Sequence, residues 1–246
     1  GYEIPEYGRT AKGLPIVNIL NLDKDESVKS LININKKMIE EDKHWYLFFA
    51  TEQGLVKRVD ISEFENIRQT GKIVIKLKED DSLVGVKLTK GDDEILIAAS
   101  NGKLVRFSEG HVRPMGRSAS GVRGINVDGS KVIGMTTNRE GQLIMVVTEK
   151  GYGKMSPIDE YRVSNRGGKG VKTINVTERN GQIVAIRAVE GNEDLLIITD
   201  DGIVIRLPME QVKTAGRATQ GVRLIKVHDS KVSSVEVVAK NEEEVV

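Results

Sequence analysis

The chain has 246 residues, with 37 Lys+Arg against 36 Asp+Glu, three His and no Cys. The missing cysteines exclude a disulfide framework and any Cys-ligated zinc or iron–sulfur centre, and His44, His111 and His228 are too widely spaced for a helical two-His metal motif. No apolar run approaches the roughly 18 residues of a membrane-spanning helix, and the opening Gly1–Glu6 has no basic stretch leading into an apolar one; a cytoplasmic globular protein without metal or cofactor is expected.

In chain order, Gly1-Tyr2-Glu3-Ile4 reads as the tail of a hairpin and Gly8-Arg9-Thr10-Ala11-Lys12-Gly13 as a Gly/basic loop. Residues Asn35–Trp45 read as an inserted surface loop, Tyr46–Arg58 as a β-hairpin turning at Gly54, and Arg68-Gln-Thr-Gly71-Lys72 as a shortened second loop. A hairpin over Ile95–Arg106 turns at Gly102 and is followed by the loop Gly116-Arg117-Ser-Ala-Ser-Gly121. The hairpin Leu143–Lys154 turns at Gly151 and precedes Asn165-Arg166-Gly167-Gly168-Lys169-Gly170. Last come the hairpin Leu195–Arg206, turning at Gly202, and the loop Gly216-Arg217-Ala-Thr-Gln-Gly221. Glycine supplies the positive φ that each tight turn demands. The turn glycines are spaced by 48, 49 and 51 residues, and the final glycines of the loops (13, 71, 121, 170, 221) by 58, 50, 49 and 51, the first interval being stretched by the insertion.

Each loop leads into residues of alternating polarity such as Val122, Ile125 and Val127, then a polar turn and a further strand such as Val132–Met135. Four short strands per repeat of about fifty residues predict an all-β fold, a ring of four-stranded propeller-like blades that bury their faces on one another. A two-sheet sandwich is the competing architecture, but two independent landmarks keeping one period argue against it. The single domain divides into units at about 1–64, 65–112, 113–160, 161–212 and a partial 213–246, in which Lys213–Lys240 lacks a hairpin of its own.

The near-zero net charge conceals a segregation. The segments 8–18, 66–78, 113–127, 162–176 and 213–227 together hold 69 residues, with 17 basic and no acidic side chains; the rest of the chain has a balance of −16. A random draw of that size would contain about ten carboxylates. In a ring of repeats these segments share one radius and height and form a continuous positive track, the electrostatic footprint of polyanion binding. Small residues around each arginine let a backbone approach closely and offer N–H groups to an anion, and arginine adds a bidentate fork for phosphate. Nothing resembles a groove-reading helix, and Trp45, Phe48 and Phe49 read as core rather than as stacking platforms. Duplex DNA, bound by its backbone with little sequence preference, is the expected ligand. The candidate contacts are Arg9, Lys12, Arg68, Lys72, Arg117, Arg123, Arg166, Lys169, Lys172, Arg217 and Arg223, carried on loops shaped by Gly8, Gly13, Gly71, Gly116, Gly121, Gly167, Gly168, Gly170, Gly216 and Gly221. Charge reversal of Arg9, Arg117, Arg166 and Arg217 is expected to abolish binding without unfolding.

The opening Gly1–Asn18, Gly151-Tyr-Gly-Lys154 and Tyr161-Arg-Val-Ser-Asn-Arg-Gly-Gly-Lys-Gly170 closely resemble the C-terminal domain of bacterial DNA gyrase A, over essentially the whole chain. The resemblance implies a six-bladed β-pinwheel with strand exchange between blades that wraps DNA around its rim. The ATP-dependent core, formed in the heterotetramer by the rest of gyrase A and by gyrase B, then introduces negative supercoils. The family's cleavage tyrosine and metal-binding carboxylates lie in other domains, so no catalytic residue is expected here. One departure matters. The hallmark box Gln-Arg-Arg-Gly-Gly-Lys-Gly is matched only by Ser164–Gly170, which keeps its last five residues and loses the Gln and first Arg. A full box would precede Gly1, and without it the chain is expected to bind and bend DNA but not to complete a wrap or support supercoiling. The related domain of topoisomerase IV is the alternative within this class. Outside it stand a propeller-type protein-interaction module, which would need exposed apolar anchors, and a propeller hydrolase, which would need convergent acid–base groups.

Overall fold

The computed structural model describes residues 7–8, 10–15, 18, 22, 26–34, 38, 45–65 and 72–240. The opening hairpin tail, Arg9, Arg68, Gly71 and nearly all of the insertion before Trp45 lie outside the described residues. In chain order the strands are β1 (Tyr46–Thr51), β2 (Leu55–Asp60), β3 (Leu83–Thr89), β4 (Glu94–Ala99), β5 (Lys103–Ser108), β6 (Val122–Arg123), β7 (Val132–Thr137) and β8 (Leu143–Thr148). There follow β9 (Tyr152–Pro157), β10 (Val171–Lys172), β11 (Ile183–Val189), β12 (Asp194–Thr199), β13 (Val204–Pro208), β14 (Val222–Arg223) and β15 (Val232–Val238). The hairpins β1–β2, β4–β5, β8–β9 and β12–β13 form at the expected places, turning at Gly54, Gly102, Gly151 and Gly202 with φ of +84°, +85°, +77° and +86°.

The hydrogen-bonded orders are β3-β1-β2-β6, β10-β5-β4-β7, β11-β8-β9-β14 and β13-β12-β15. The two strands read from the sequence after each loop are therefore divided between sheets. After the loop at 116–121, β6 crosses to the edge of the preceding hairpin, pairing Val122 with Val56, and β7 returns to its own hairpin at β4. β10 and β14 make the same excursion, and residues 213–240 give β14 to one sheet and β15 to the next. This is strand exchange, and the sheets straddle the units delimited by the sequence. The exchanged segment is only two residues long in each case, too short to carry a polarity pattern of its own.

Because a central strand packed between neighbouring blades is covered on both faces, the first strand of each hairpin is apolar almost throughout. Ile95 and Ile97 join Phe48, Val56 and Ile125 in one core layer, whereas the intervening Leu96 and Ala98 join Ile144, Val146 and Ile174 in the next. A third layer lies between the β8 and β12 hairpins, and a fourth packs Leu47 and Phe49 against Ile32 and Ile34. The strands β3, β7, β11 and β15 pack on one another in succession. They form the inner edge, and the opposite edge, where β6, β10 and β14 sit, is the perimeter.

Candidate nucleic-acid interface

Strand exchange carries three of the Gly/basic loops, at 116–121, 165–170 and 216–221, to that perimeter. Each of the three ends on a glycine with positive φ (Gly121 +99°, Gly170 +73°, Gly221 +76°) set against the backbone of the receiving hairpin at Val56, Leu104 and Gly153; Gly13 shares the positive φ but meets no neighbour within 4 Å. A Cβ at Gly121 or Gly170 would collide with the carbonyl oxygen it faces, and one at Gly221 would lie 2.7 Å from that of Gly153. The receiving glycines match: the Gly54 carbonyl accepts the Gly124 amide at 2.8 Å, that of Gly102 accepts Thr173 at 2.8 Å, and that of Gly151 accepts Leu224 at 2.8 Å.

The loops also touch in series. Lys76 N donates to Ala119 O (3.4 Å), Asn126 N to Gly168 O (2.9 Å) and Asn175 N to Thr219 O (2.9 Å), so each loop rests on the segment that follows the loop before it. Two of the nominated arginines serve these junctions. Arg166 donates to His111 O and Arg123 O, both at 3.0 Å, and Arg217 donates to Lys172 O at 3.0 Å. The partners of these guanidiniums are neutral carbonyls, and the bonds are structural ties. Charge reversal at Arg166 and Arg217 is therefore not free of structural cost, contrary to the expectation from sequence.

Arg117, Arg123 and Lys172 are exposed and form no ion pair among the described residues, and the same holds for Arg113, Arg162 and Lys213 beside them. Two nominated cations do pair outside their segments: Lys169 with Asp128 at 3.1 Å, and the half-buried Lys72 with Glu63 at 3.6 Å. The lysine holds the Asp128 carboxyl below its ordinary range. Lys12 is exposed on its loop, where Ala11 N bonds Gly8 O at 3.0 Å, the turn that recurs at Gly116–Ala119 and Gly216–Thr219. On β10, Lys172 stands directly opposite Lys103. Like charges facing across a ladder destabilise it; the Lys103 ammonium lies 3.9 Å from the Asp128 carboxylate, while Lys172 has no ion pair among the described residues.

The third sheet adds residues the sequence reading passed over. Arg223 faces Tyr152 across the exchanged pair, and the phenol oxygen accepts from Arg223 (2.8 Å) and Arg179 (3.1 Å). Both guanidiniums also lie over its ring, at 5.4 and 5.6 Å. Arg179, then Arg223, pulls the phenol below its usual range, and the phenol in turn holds two exposed cations in fixed orientation without neutralising them.

Two fully buried lysines lie beneath the loops. Lys57 Nζ donates to Val74 O (2.7 Å), Gly116 O (2.8 Å), Ala119 O (3.0 Å) and Arg117 O (3.1 Å). Lys154 Nζ donates to Gly216 O (2.7 Å) and Ser156 Oγ (3.0 Å), and that hydroxyl donates to Ala215 O (2.7 Å). Burial lowers both ammonium groups; Lys154 falls to about 8, with Glu160 opposing the fall and Arg217 adding to it. An unfolded lysine titrates near 10.5. Between about 8 and that value the unfolded chain binds more protons than the native one, so stability from this site rises with pH across the window and is lowest below it. Urea unfolding at about pH 7.5 and pH 10 is expected to show the wild type gaining about 2 kcal/mol over Lys154→Met. Parallel behaviour of the two proteins would mean that the amine is not desolvated.

Among the described residues, no group of three or more His, Cys, Asp or Glu could hold a metal ion, and no helix is long and apolar enough to cross a membrane. Sequence comparison matches residues 1–35, 46–90, 93–138, 142–190 and 193–239 to the family described as DNA gyrase C-terminal domain, beta-propeller. The chain is 48% identical to DNA gyrase A of Staphylococcus epidermidis over 247 residues and 46% identical to that of Staphylococcus aureus over 248. These alignments take in 99% of the chain but only 27% and 28% of the relatives, so the chain spans about a quarter of their length. Among solved structures, a DNA gyrase A C-terminal domain superposes with a TM-score of 0.80 at 22% identity, covering 93% of this chain and 76% of that one. The C-terminal domain of a DNA topoisomerase IV gives 0.85 at 25% identity, covering 92% and 71%. With propeller blades, exchanged strands and a full-length match, the chain belongs to the DNA gyrase C-terminal domain family.

Proposed function

We propose that this chain binds duplex DNA by its phosphate backbone and bends it around the perimeter of the propeller, as the non-catalytic wrapping domain of a gyrase A protein in the bacterial cytoplasm. In that role it presents a DNA segment to an ATP-dependent topoisomerase core, formed by the rest of gyrase A and by gyrase B, which introduces negative supercoils. The observation that carries the reading is the series of hydrogen bonds along the perimeter that join each loop to the segment following the loop before it, beside exposed cations such as Arg117, Arg123 and Lys172 that have no ion pair among the described residues. Smooth bending of 20–30 base pairs by 40–90° costs about 1–6 kcal/mol, which serial phosphate contacts must offset.

Gel mobility of a long duplex titrated with salt tests this. Engagement of about 6–10 phosphates makes affinity fall roughly 10³–10⁵-fold between about 50 and 200 mM salt; failure to retain DNA at the low end refutes the proposal. Fused to a gyrase core, the chain is expected to bind and bend plasmid DNA without restoring full supercoiling, because its only box-like segment, Ser164–Gly170, lacks the Gln and first Arg of the family's box. The second reading, a topoisomerase IV domain, draws on the close superposition with that structure. It predicts relaxation and decatenation, with no negative supercoiling even when a complete box is supplied.

A further inference from the structure

We propose that Lys57 and, in the matching place two sheets on, Lys154 are positioning residues for phosphate, internal ammonium groups that turn loop carbonyls inward and so aim the intervening peptide N–H groups at the ligand. The inference rests on the DNA-binding reading above and names the atoms within it. In a trans peptide the N–H of one residue points opposite to the C=O of the residue before. The Lys57 ammonium gathers the carbonyls of Gly116, Arg117 and Ala119. The amides of Arg117, Ser118 and Ser120 therefore point outward, and none of them donates to an acceptor among the described residues. Spread over the outer face of the loop beside the exposed Arg117 guanidinium, the three amides offer a donor cradle to phosphodiester oxygens.

The second loop supplies an independent observation. There Lys154 turns the Gly216 carbonyl inward, and the next amide, Arg217 N, already donates to a carboxylate, Glu160 Oε2 at 2.7 Å. An anion thus occupies the very position that the inward carbonyl exposes. At the first loop the equivalent acid, Glu63, is engaged instead by Lys72, and the Arg117 amide stays open. The loop at 165–170 is a natural control. Its receiving hairpin carries Val105 where the other two carry Lys57 and Lys154, three residues after the turn glycine, and the loop is tied by Arg166 and by Gly167 N to Gly124 O at 2.6 Å instead.

Lys57 is fully buried and touches no phosphate itself, so its effect on DNA must pass through the loop. The test uses the full chain and a random-sequence duplex, with Lys57→Met, Arg117→Ala and the double variant compared across a salt titration. Lys57→Met is expected to weaken binding roughly 10-fold and to lower the salt slope by about one, the signature of one phosphate released by a change at a distance. The double variant is expected to bind little worse than the weaker single one, since both act on one cradle. Wild-type affinity and slope in Lys57→Met, or full additivity of the two effects, overturns the role. Should Lys57→Met fail to fold, a titration of the wild-type chain with dimethyl phosphate, followed by amide chemical shifts, decides the matter. Shifts at Arg117, Ser118 and Ser120 are expected, and their silence while other amides respond overturns the cradle. A wild type that holds no duplex at low salt instead refutes the DNA reading itself, an outcome distinct from a silent Lys57→Met.

Discussion

Replacing Gly121 with alanine is expected to destabilise the protein by about 3 kcal/mol or more, because two costs fall on one residue. At φ +99° the backbone lies where side-chain-bearing residues are strained by about 1–3 kcal/mol. The added Cβ would also run into the carbonyl oxygen of Val56, and Val56 is the residue whose pairing with Val122 holds the exchanged strand. The clash can be relieved only by withdrawing β6 from the sheet. Two other glycines calibrate the effect. Gly202 shares the positive φ (+86°) but an added Cβ there would meet nothing within 4 Å, so Gly202→Ala is expected to cost about 1 kcal/mol, from strain alone. Gly116 has neither the positive φ nor a neighbour, and Gly116→Ala should stay within about 0.5 kcal/mol of wild type. Thermal unfolding ranks the three, and a drop of roughly 10 °C is expected for Gly121→Ala alone. Equal midpoints for Gly121→Ala and Gly116→Ala would show that the exchanged strand is not anchored at this point.

The combined variant Arg117→Ala/Arg123→Ala/Lys172→Ala is expected to lose DNA affinity on the order of 10³-fold while keeping the fold. Each residue is exposed and bears no carboxylate partner among the described residues, so removal breaks no ion pair, and each surface change should lie within about 0.5 kcal/mol. Loss of Lys172 even relieves its repulsion with Lys103. On the DNA side, each charge-assisted phosphate bond removed is worth roughly 10-fold, and the salt slope should drop by nearly three. Arg166→Ala and Arg217→Ala provide the contrast: they are expected to lower stability as well as affinity, since their guanidiniums tie one loop to the next. A triple variant that binds like the wild type would make the track ornamental.

The turns and the loop glycines were legible in the sequence because their cause is local. A tight turn between apolar runs that needs positive φ favours glycine, and Gly54, Gly102, Gly151 and Gly202 all sit where such runs place them. The track was legible because the absence of carboxylates recurs at one position of the repeat. Strand exchange was not readable from periodicity: Val122–Arg123 is too short to show alternation, and its partner Val56 lies far back in the chain. The family resemblance supplied it. The buried lysines were hidden by the ordinary habit of lysine, which is almost never fully buried without a partner. A signal existed all the same. The hairpins were read as ending in a basic residue, but Lys57 and Lys154 stand three residues after the turn glycine, whereas Arg58, Arg106 and Arg206 stand four after it. In a strand, that single step puts the side chain on the opposite face.

Exchange has a consequence for how the molecule comes apart. Arrays whose modules meet only face to face can shed one terminal module and leave the others intact. Here the segment that edges the β8–β9 hairpin is drawn from beyond the β12–β13 hairpin, so losing the last blade also strips its neighbour, and the damage passes inward. Heating should thus meet a single cooperative collapse whose first opening is at β13, where Ile203 and Val204 lie half in solvent and, among the described residues, no borrowed segment closes the edge.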